Sequence, residues 1–335
     1  MPLDENAQCT VCIPTYNQSR YLREAVKSVA EQTAPVRLLV SNDASPDDTE
    51  EVIRELQQQY RFDAMHHGQN LGISANLQWL LRQPGTPLIM RLDSDDLLEP
   101  EYIRELSELL ARFPKAGYAH CAVTEIDGEG RKIGERRLAR VQEFQDDTAA
   151  LRASIKGYQV AANILLFRRD ALASVDFGAG SAKLNFVEDY DLSIRLADAG
   201  WGNVYSGKVL ASYRMWSGSS RPVAGRKLTE VRGVAEIFSG SLSTAFARRG
   251  WSLGPVRRRR RKLALLNSEI LDRAEFAPGQ REEMVVALRQ LGDSQMLRWW
   301  LGDGIAVRTV RRTATAVTES KLAAKRWIKR VLFRR

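Results

Sequence analysis

Residues 87–96 read PLIMRLDSDD, an apolar run that ends in the carboxylates of Asp93, Asp95 and Asp96. A short apolar segment bounded by turn-forming residues spells a buried strand. Crowding like charges at its end is costly unless a cation neutralises them. Mg²⁺ and Mn²⁺ take oxygen ligands and often share them with substrate phosphates, so this strand end is a candidate cation and diphosphate site. A turn opening the next helix, with Asp96 and Glu99 near its start, would also account for the acids.

Working outward, strand and helix patterns alternate. CTVCI (9–13) reads as a strand, and SRYLREAVKSVAEQ (19–32) as an amphipathic helix with Leu22, Ala25, Val26 and Val29 at helical spacing. VRLLVS (36–41) is a second strand. SPDDTEEVIRELQQQY (45–60) follows as a helix, with Ser45 as N-cap and Pro46 at its first position. A strand at FDAMHH, a helix at SANLQWLLRQ, the opening strand, a helix at EPEYIRELSELLARF and a strand at GYAHCAVTEI continue the rhythm to residue 126. That βαβα order predicts a doubly wound, mostly parallel sheet with ligands at the carboxyl ends of its strands. Residues 127–157 look like a charged, Gly-rich hairpin or excursion. Beyond it EDYDLSIRLADAG (188–200) reads as a helix and VLASYRMW (209–216) as a strand; past residue 220 only helix patterns remain. The expected division is an α/β domain over 1–225, with a donor half to about 125 and an acceptor half after it, then a basic helical region over 226–335.

Composition fits this reading. A chain of 335 residues, 44% apolar, can bury a real core. The net charge of +9 is unevenly placed: residues 241–335 carry 22 Lys and Arg against 8 Asp and Glu, while the first 240 residues are net acidic. The polar start MPLDENAQ does not read as a signal sequence, and no run of eighteen apolar residues spans a membrane. Three cysteines suit a reducing cytoplasm. Cys9 and Cys12 form a CxxC, but on a strand their side chains point to opposite faces, against a zinc or redox pair.

The other strand ends carry polar groups. Strand one runs into Pro14, Thr15, Tyr16 and Asn17; strand two ends at Asn42-Asp43-Ala44-Ser45, where Asp43 can accept hydrogen bonds from a base or ribose, or simply shape a turn. Asn70 and Gly72 lie in a turn before a helix N-terminus, a suitable place for an anion.

Taken in order, PTYN, NDASPDDT, NLGISAN, RLDSDD and EDYDLSIRLADAG resemble the family 2 glycosyltransferases, over about residues 10–221. The resemblance implies the GT-A fold, a Rossmann-like nucleotide-diphospho-sugar transferase sheet, here with a C-terminal helical extension, and inverting transfer by a non-processive enzyme. It implies that Pro14, Thr15, Tyr16, Asn17 and Asp43 surround the donor base, with Asn70, Gly72, Arg91 and Ser94 also on the donor side. Asp93 and Asp95 become the DxD motif, Asp95 on the Mg²⁺ or Mn²⁺ and Asp93 at the ribose. Asp189 becomes the general base, with Glu188 and Asp191 supporting it. A carboxylate base on the acceptor and a cation on the leaving diphosphate suit direct displacement. Where the family often has YRxH, this chain reads Tyr213-Arg214-Met215-Trp216, and Trp cannot ligate a metal. Trp216 and Arg221 remain on the acceptor or supporting side, and Arg214, Ser217, Ser219 and Arg221 are candidate diphosphate contacts. His66, His67 and His120 read as structural or solvent-facing. The resemblance favours a UDP-sugar donor, with dTDP- or GDP-sugars as alternatives, and a saccharide or lipid-linked glycan of the cell envelope as acceptor.

In KLAAKRWIKRVLFRR, within 320–335, Ala324, Trp327, Ile328, Val331 and Leu332 share one helical face, and Lys325, Arg326, Lys329 and Arg330 fill the other. This is the pattern of a helix lying in a membrane interface, at roughly 1 kcal/mol per basic residue near an anionic leaflet. It predicts a cytoplasmic enzyme peripheral to the inner face of the cell membrane, the alternative being a solvated helix packed on the body; nucleic acid is not expected, because the aromatics share the apolar side. Two alternatives are a non-catalytic scaffold of the same fold and a sugar nucleotidyltransferase, which would carry a Gly-rich basic loop after strand one. A processive synthase would bring membrane spans and a QxxRW motif, and neither is present.

Overall fold

The computed structural model describes residues 7–175, 184, 187–215, 224–292 and 301. They divide into two compact units, one of residues up to 182 together with Glu188–Gly218, the other of Lys183–Val187 and Ser219 onward.

The first unit is built on β1 (Cys9–Thr15), α1 (Ser19–Ala30), β2 (Arg37–Asn42), α2 (Thr49–Gln59), β3 (Asp63–His66), α3 (Ile73–Leu81), β4 (Leu88–Arg91), β5 (Leu97–Leu98), α4 (Tyr102–Arg112) and β6 (Ala116–Ile126). It continues with β7 (Lys132–Arg136), β8 (Phe144–Gln145), α5 (Asp147–Ser154), β9 (Leu165–Arg168), α6 (Arg169–Ala173), α7 (Glu188–Asp198) and β10 (Gly202–Arg214). The strands form one sheet in the order β3-β2-β1-β4-β9-β6-β10-β5, with β7 beside β6 and β8 beside β10. β1 pairs in parallel with β2 and β4, β2 with β3, and β6 with β10. The expected mostly parallel sheet is present, interrupted where β9 runs antiparallel between β4 and β6.

Alternation along β1 distributes the core. Val11 and Ile13 face Leu22, Val26, Ile53 and Leu106 from the helices on one side; Cys12 faces Leu77, Leu80 and Leu196 on the other. At roughly 2 kcal/mol for each fully buried aliphatic side chain, these two layers dominate the unit's stability. Cys9 joins the first layer and Cys12 the second, so the CxxC is split across the sheet, and both cysteines are free and buried. Burial raises both thiols above their usual range, which leaves them inert.

One boundary departs from the sequence reading. Helix α2 begins at Thr49, with Asp48 in the N-cap position and Ser45 and Pro46 still in the loop. Ala44 has φ +54°, which turns the chain out of a helical path. Asn42 Oδ1 then accepts from the Ser45 amide, and Ser45 Oγ accepts from the Asn17 amide at 3.0 Å. Asp47 accepts from the amides of Ser19 and Thr49, so the residues expected to cap one helix instead tie together the ends of two strands and two helices.

The second unit contains α8 (Ala224–Ser239), α9 (Ser241–Arg248), α10 (Gly254–Asn267), α11 (Ile270–Arg273) and α12 (Gln280–Gly292). Leu228, Val231, Ala264, Met284 and Leu288 form its buried core. Among the described residues no helix is long and apolar enough to cross a membrane. The tail segment 320–335 lies outside the described residues.

Candidate active site

Because β2, β1 and β4 are neighbours running in parallel, their carboxyl ends bring residues 14–17, Asp43 and 93–96 to one edge of the sheet. The Asp43 amide donates to the Thr15 carbonyl at 3.0 Å. Its carboxylate, 1% exposed, accepts from the amides of Leu71 at 2.8 Å and Gly72 at 2.9 Å, and Asn70 Nδ2 donates to its carbonyl. Asp43, Asn70 and Gly72 are therefore one closed substructure, and Gly72 takes φ +86°, where a side chain would be strained. Each Asp43 oxygen retains a lone pair for a further donor. Asn17 also sits at positive φ, so two non-glycine residues are held in unfavourable backbone conformations at adjacent strand ends. Tyr16, Leu71 and Ile73 stay exposed, unusual for large apolar groups.

Arg91, the last residue of β4, organises the acidic side. Its Nε donates to Asp93 Oδ1 at 3.0 Å and its Nη2 to Asp93 Oδ2 at 3.3 Å, a two-pronged grip. Its Nη1 donates to Asp189 Oδ1, in the first turn of α7 and 98 positions away in the chain. Burial works against charge on Arg91, but Asp189 and Asp93 outweigh it and hold the guanidinium protonated. Expected beside the donor, Arg91 is a buried link between the first carboxylate of the DxD and Asp189. Burial raises the Asp189 carboxyl above the ordinary aspartate range while Arg91 pulls it down, and burial with the Asp189 charge raises Glu188. Asp191 is paired with Arg195 one turn along α7, which makes it a helix-stabilising residue.

Asp96 is 1% exposed; its Oδ1 accepts from the Arg214 amide at 2.8 Å and its Oδ2 has no hydrogen-bond partner among the described residues. Burial and the charges of Asp93 and Asp95 raise its carboxyl well above the usual range. Arg214 cannot serve as the diphosphate contact considered from sequence. It is 2% exposed, its Nε donates to the Asp95 carbonyl, Nη1 to the Asp127 carbonyl and Nη2 to Glu24, and its guanidinium lies 4.5 Å from the centre of the Tyr21 ring. With all three nitrogens bound to protein, it fixes the acidic turn from behind. Ser94 is buried within that turn. Trp216, Ser217, Ser219 and Arg221 lie outside the described residues.

Among the described residues no group of three or more His, Cys, Asp and Glu side chains could enclose a metal by itself. The half-buried Asp95, beside Asp93 and close enough to Asp96 for their charges to raise its carboxyl, offers hard oxygen donors where negative charge is crowded. That fits Mg²⁺ or Mn²⁺, which keep water and phosphate oxygens in their shell. Sequence reasoning did not single out Tyr158. Its hydroxyl is buried without a hydrogen-bond partner among the described residues and feels the charges of Asp189 and Arg91, but it comes from an irregular segment with no pattern to flag it.

A doubly wound sheet with an antiparallel strand beside β4, and carboxylates gathered where its parallel strands end, is the framework of the GT-A nucleotide-sugar transferases. Residues 10–175 match the family described as Glycosyl transferase family 2, and the chain belongs to that family as a glycosyltransferase. It is similar to the uncharacterized glycosyltransferase RT0329 of Rickettsia typhi, 20% identical over 307 residues, which are 84% of this chain and 92% of that protein. It is also similar to the minor teichoic acid biosynthesis protein GgaB of Bacillus subtilis, 34% identical over 97 residues; the match spans 28% of this chain and only 11% of GgaB. Among solved structures, S. aureus TarS in complex with UDP superposes with a TM-score of 0.51 at 15% identity, over 86% of this chain and 91% of that one. The mannosyltransferase PcManGT from Pyrobaculum calidifontis, in complex with GDP-Man and Mn²⁺, gives 0.53 at 18% identity over 100% and 90%. At such identities these two likenesses concern the fold.

Proposed function

We propose that this chain transfers a sugar, with inversion, from a nucleoside-diphosphate sugar to a hydroxyl of a saccharide or lipid-linked glycan of the cell envelope. The observation that carries the reading is the Arg91 link, which joins Asp93 to Asp189. A donor motif and a candidate base from distant parts of the chain are thereby held within one side chain of each other.

In this reading the donor base lies against Pro14, Thr15, Tyr16, Asn17 and the Asp43–Gly72 substructure, and Asp93 meets the ribose. The raised Asp189 carboxyl is a stronger base than an ordinary aspartate and takes the proton of the acceptor hydroxyl as its oxygen attacks the anomeric carbon. A divalent cation held by Asp95, when bound, supplies charge neutralisation for the departing diphosphate. Glu188 supports Asp189 from the same helix turn. UDP is the favoured base, consistent with the UDP complex of TarS; the GDP-Man complex of PcManGT keeps GDP in view. The basic tail pattern over 320–335 supports a place at the inner face of a membrane.

Asp189→Asn lowers transfer by about 100-fold or more, and Asp95→Ala removes the response to Mn²⁺, both with a folded circular dichroism spectrum at the assay temperature. Full activity in the Asp189 variant would falsify the role given to it. Thermal shift against UDP-, dTDP- and GDP-sugars, with and without Mn²⁺, identifies the donor; stabilisation by none of them overturns the reading.

A further inference from the structure

Helix α10 has one buried face and one exposed face of different chemistry. Val256 and Ala264 are buried, and between them Arg260 donates through Nε and Nη2 to the carbonyls of Leu291 and Gln290 at the end of α12. These positions, four apart, define the inner face. The outer face carries Arg257, Arg258, Arg261 and Lys262, all exposed, and then Leu265 and Leu266, which remain 37% and 41% exposed. The stripe is about 14 Å long, from nine steps of helical rise.

Nothing inside the described structure explains this stripe. None of its four cations has an ion pair or side-chain hydrogen bond among the described residues. Arg257 with Arg261, and Arg258 with Lys262, are like charges four apart, which weakens a helix. Two of them lie near the helix N-terminus, where the backbone dipole disfavours cations, and the first turn holds no acid. In α12 of the same unit the first turn is acidic, with Glu282 and Glu283, as the dipole prefers. A cation row kept where it costs helix stability, and continued by two exposed leucines, is complementary to a surface that is anionic and apolar beneath.

We propose that the outer face of α10 seats this chain on an anionic lipid surface, the four cations meeting headgroups and Leu265 and Leu266 entering the acyl boundary. Leucines contribute nothing to phosphate backbone contacts, and the stripe has no aromatic ring to stack on bases, so a bilayer fits it better than nucleic acid. The inference is independent of the sugar-transfer reading and of the tail at 320–335, which it would assist as a second anchor.

The test uses the full chain and flotation with phosphatidylcholine vesicles, with and without phosphatidylglycerol. Replacing Arg257, Arg258, Arg261 and Lys262 by Gln lowers partition to the anionic vesicles by about tenfold or more, and salt weakens wild-type binding in the same direction. Leu265→Gln with Leu266→Gln weakens the binding that survives at high salt. All these positions are exposed, and an unchanged circular dichroism spectrum and thermal midpoint confirm that the variants fold. A separate variant with Lys325, Arg326, Lys329 and Arg330 changed to Gln reports the tail alone. The proposal is overturned if the α10 variant binds vesicles as the wild type does while the tail variant loses all binding. It is equally overturned if the α10 changes abolish binding to an oligonucleotide but leave vesicle binding intact.

Discussion

Arg91 shows how one buried cation can set the behaviour of two acids. Replacing it with Met leaves Asp93 and Asp189 without their common partner and should cost about 3–5 kcal/mol, read from urea denaturation. Arg91→Lys restores the charge without the two-pronged geometry, so it should recover stability better than turnover. The acid side of the pH–rate profile belongs to the same residue. Burial raises Asp189, so kcat should fall with decreasing pH above the range of an ordinary aspartate. Removing Arg91, the group that pulls this carboxyl down, should move that limb to still higher pH. The sequence put Arg91, Asp93 and Asp189 in a site but could not pair them, because the link spans 98 positions and leaves no local pattern. Arg214 misled for the complementary reason: an arginine after a strand looks available until its acceptors are seen.

Regular elements were legible where one face is apolar. The buried Leu22, Ala25, Val26 and Val29 of α1, and Ile103, Leu106 and Leu110 of α4, repeat at helical spacing and could be read directly. The start of α2 was not, because Ser45 and Pro46 are equally good turn residues and Ala44 sends them into a turn. The direction of β9 was also hidden: its first three residues, Leu165, Leu166 and Phe167, are all apolar and buried, and a strand buried on both faces carries no signature of its partners. Gly202 offers an element-scale test. It opens β10 opposite β8, where a β-carbon would fall well inside contact with the Gln145 carbonyl and the Phe144 ring. Gly202→Ala should therefore separate the β8 edge and cost about 1–3 kcal/mol, seen as a lower urea midpoint with little change in donor affinity.

For the whole molecule, acid stability should follow His120. It is buried between Tyr118 and Tyr205, and burial with the nearby Arg140 holds its pKa down to about 3. The unfolded chain takes up this proton first, near the ordinary value of about 6.5. The stability from the neutral ring is thus complete above that pH and is lost as pH falls toward about 3, on the order of a few kcal/mol. Thermal midpoints should drop between about pH 6 and pH 4, and His120→Phe should flatten the slope; an equal slope in both proteins would reject the assignment. The position of β9 carries a consequence for biogenesis. Residues 165–168 supply the missing neighbour of both β4 and β6, so a nascent chain that has emerged only through the acidic motif still presents a raw strand edge. Such an edge invites pairing with another copy; a chain truncated before residue 165 would expose β4 and β6 alike, where one ending after residue 168 has β4 paired on both sides and leaves β6 open only toward β10.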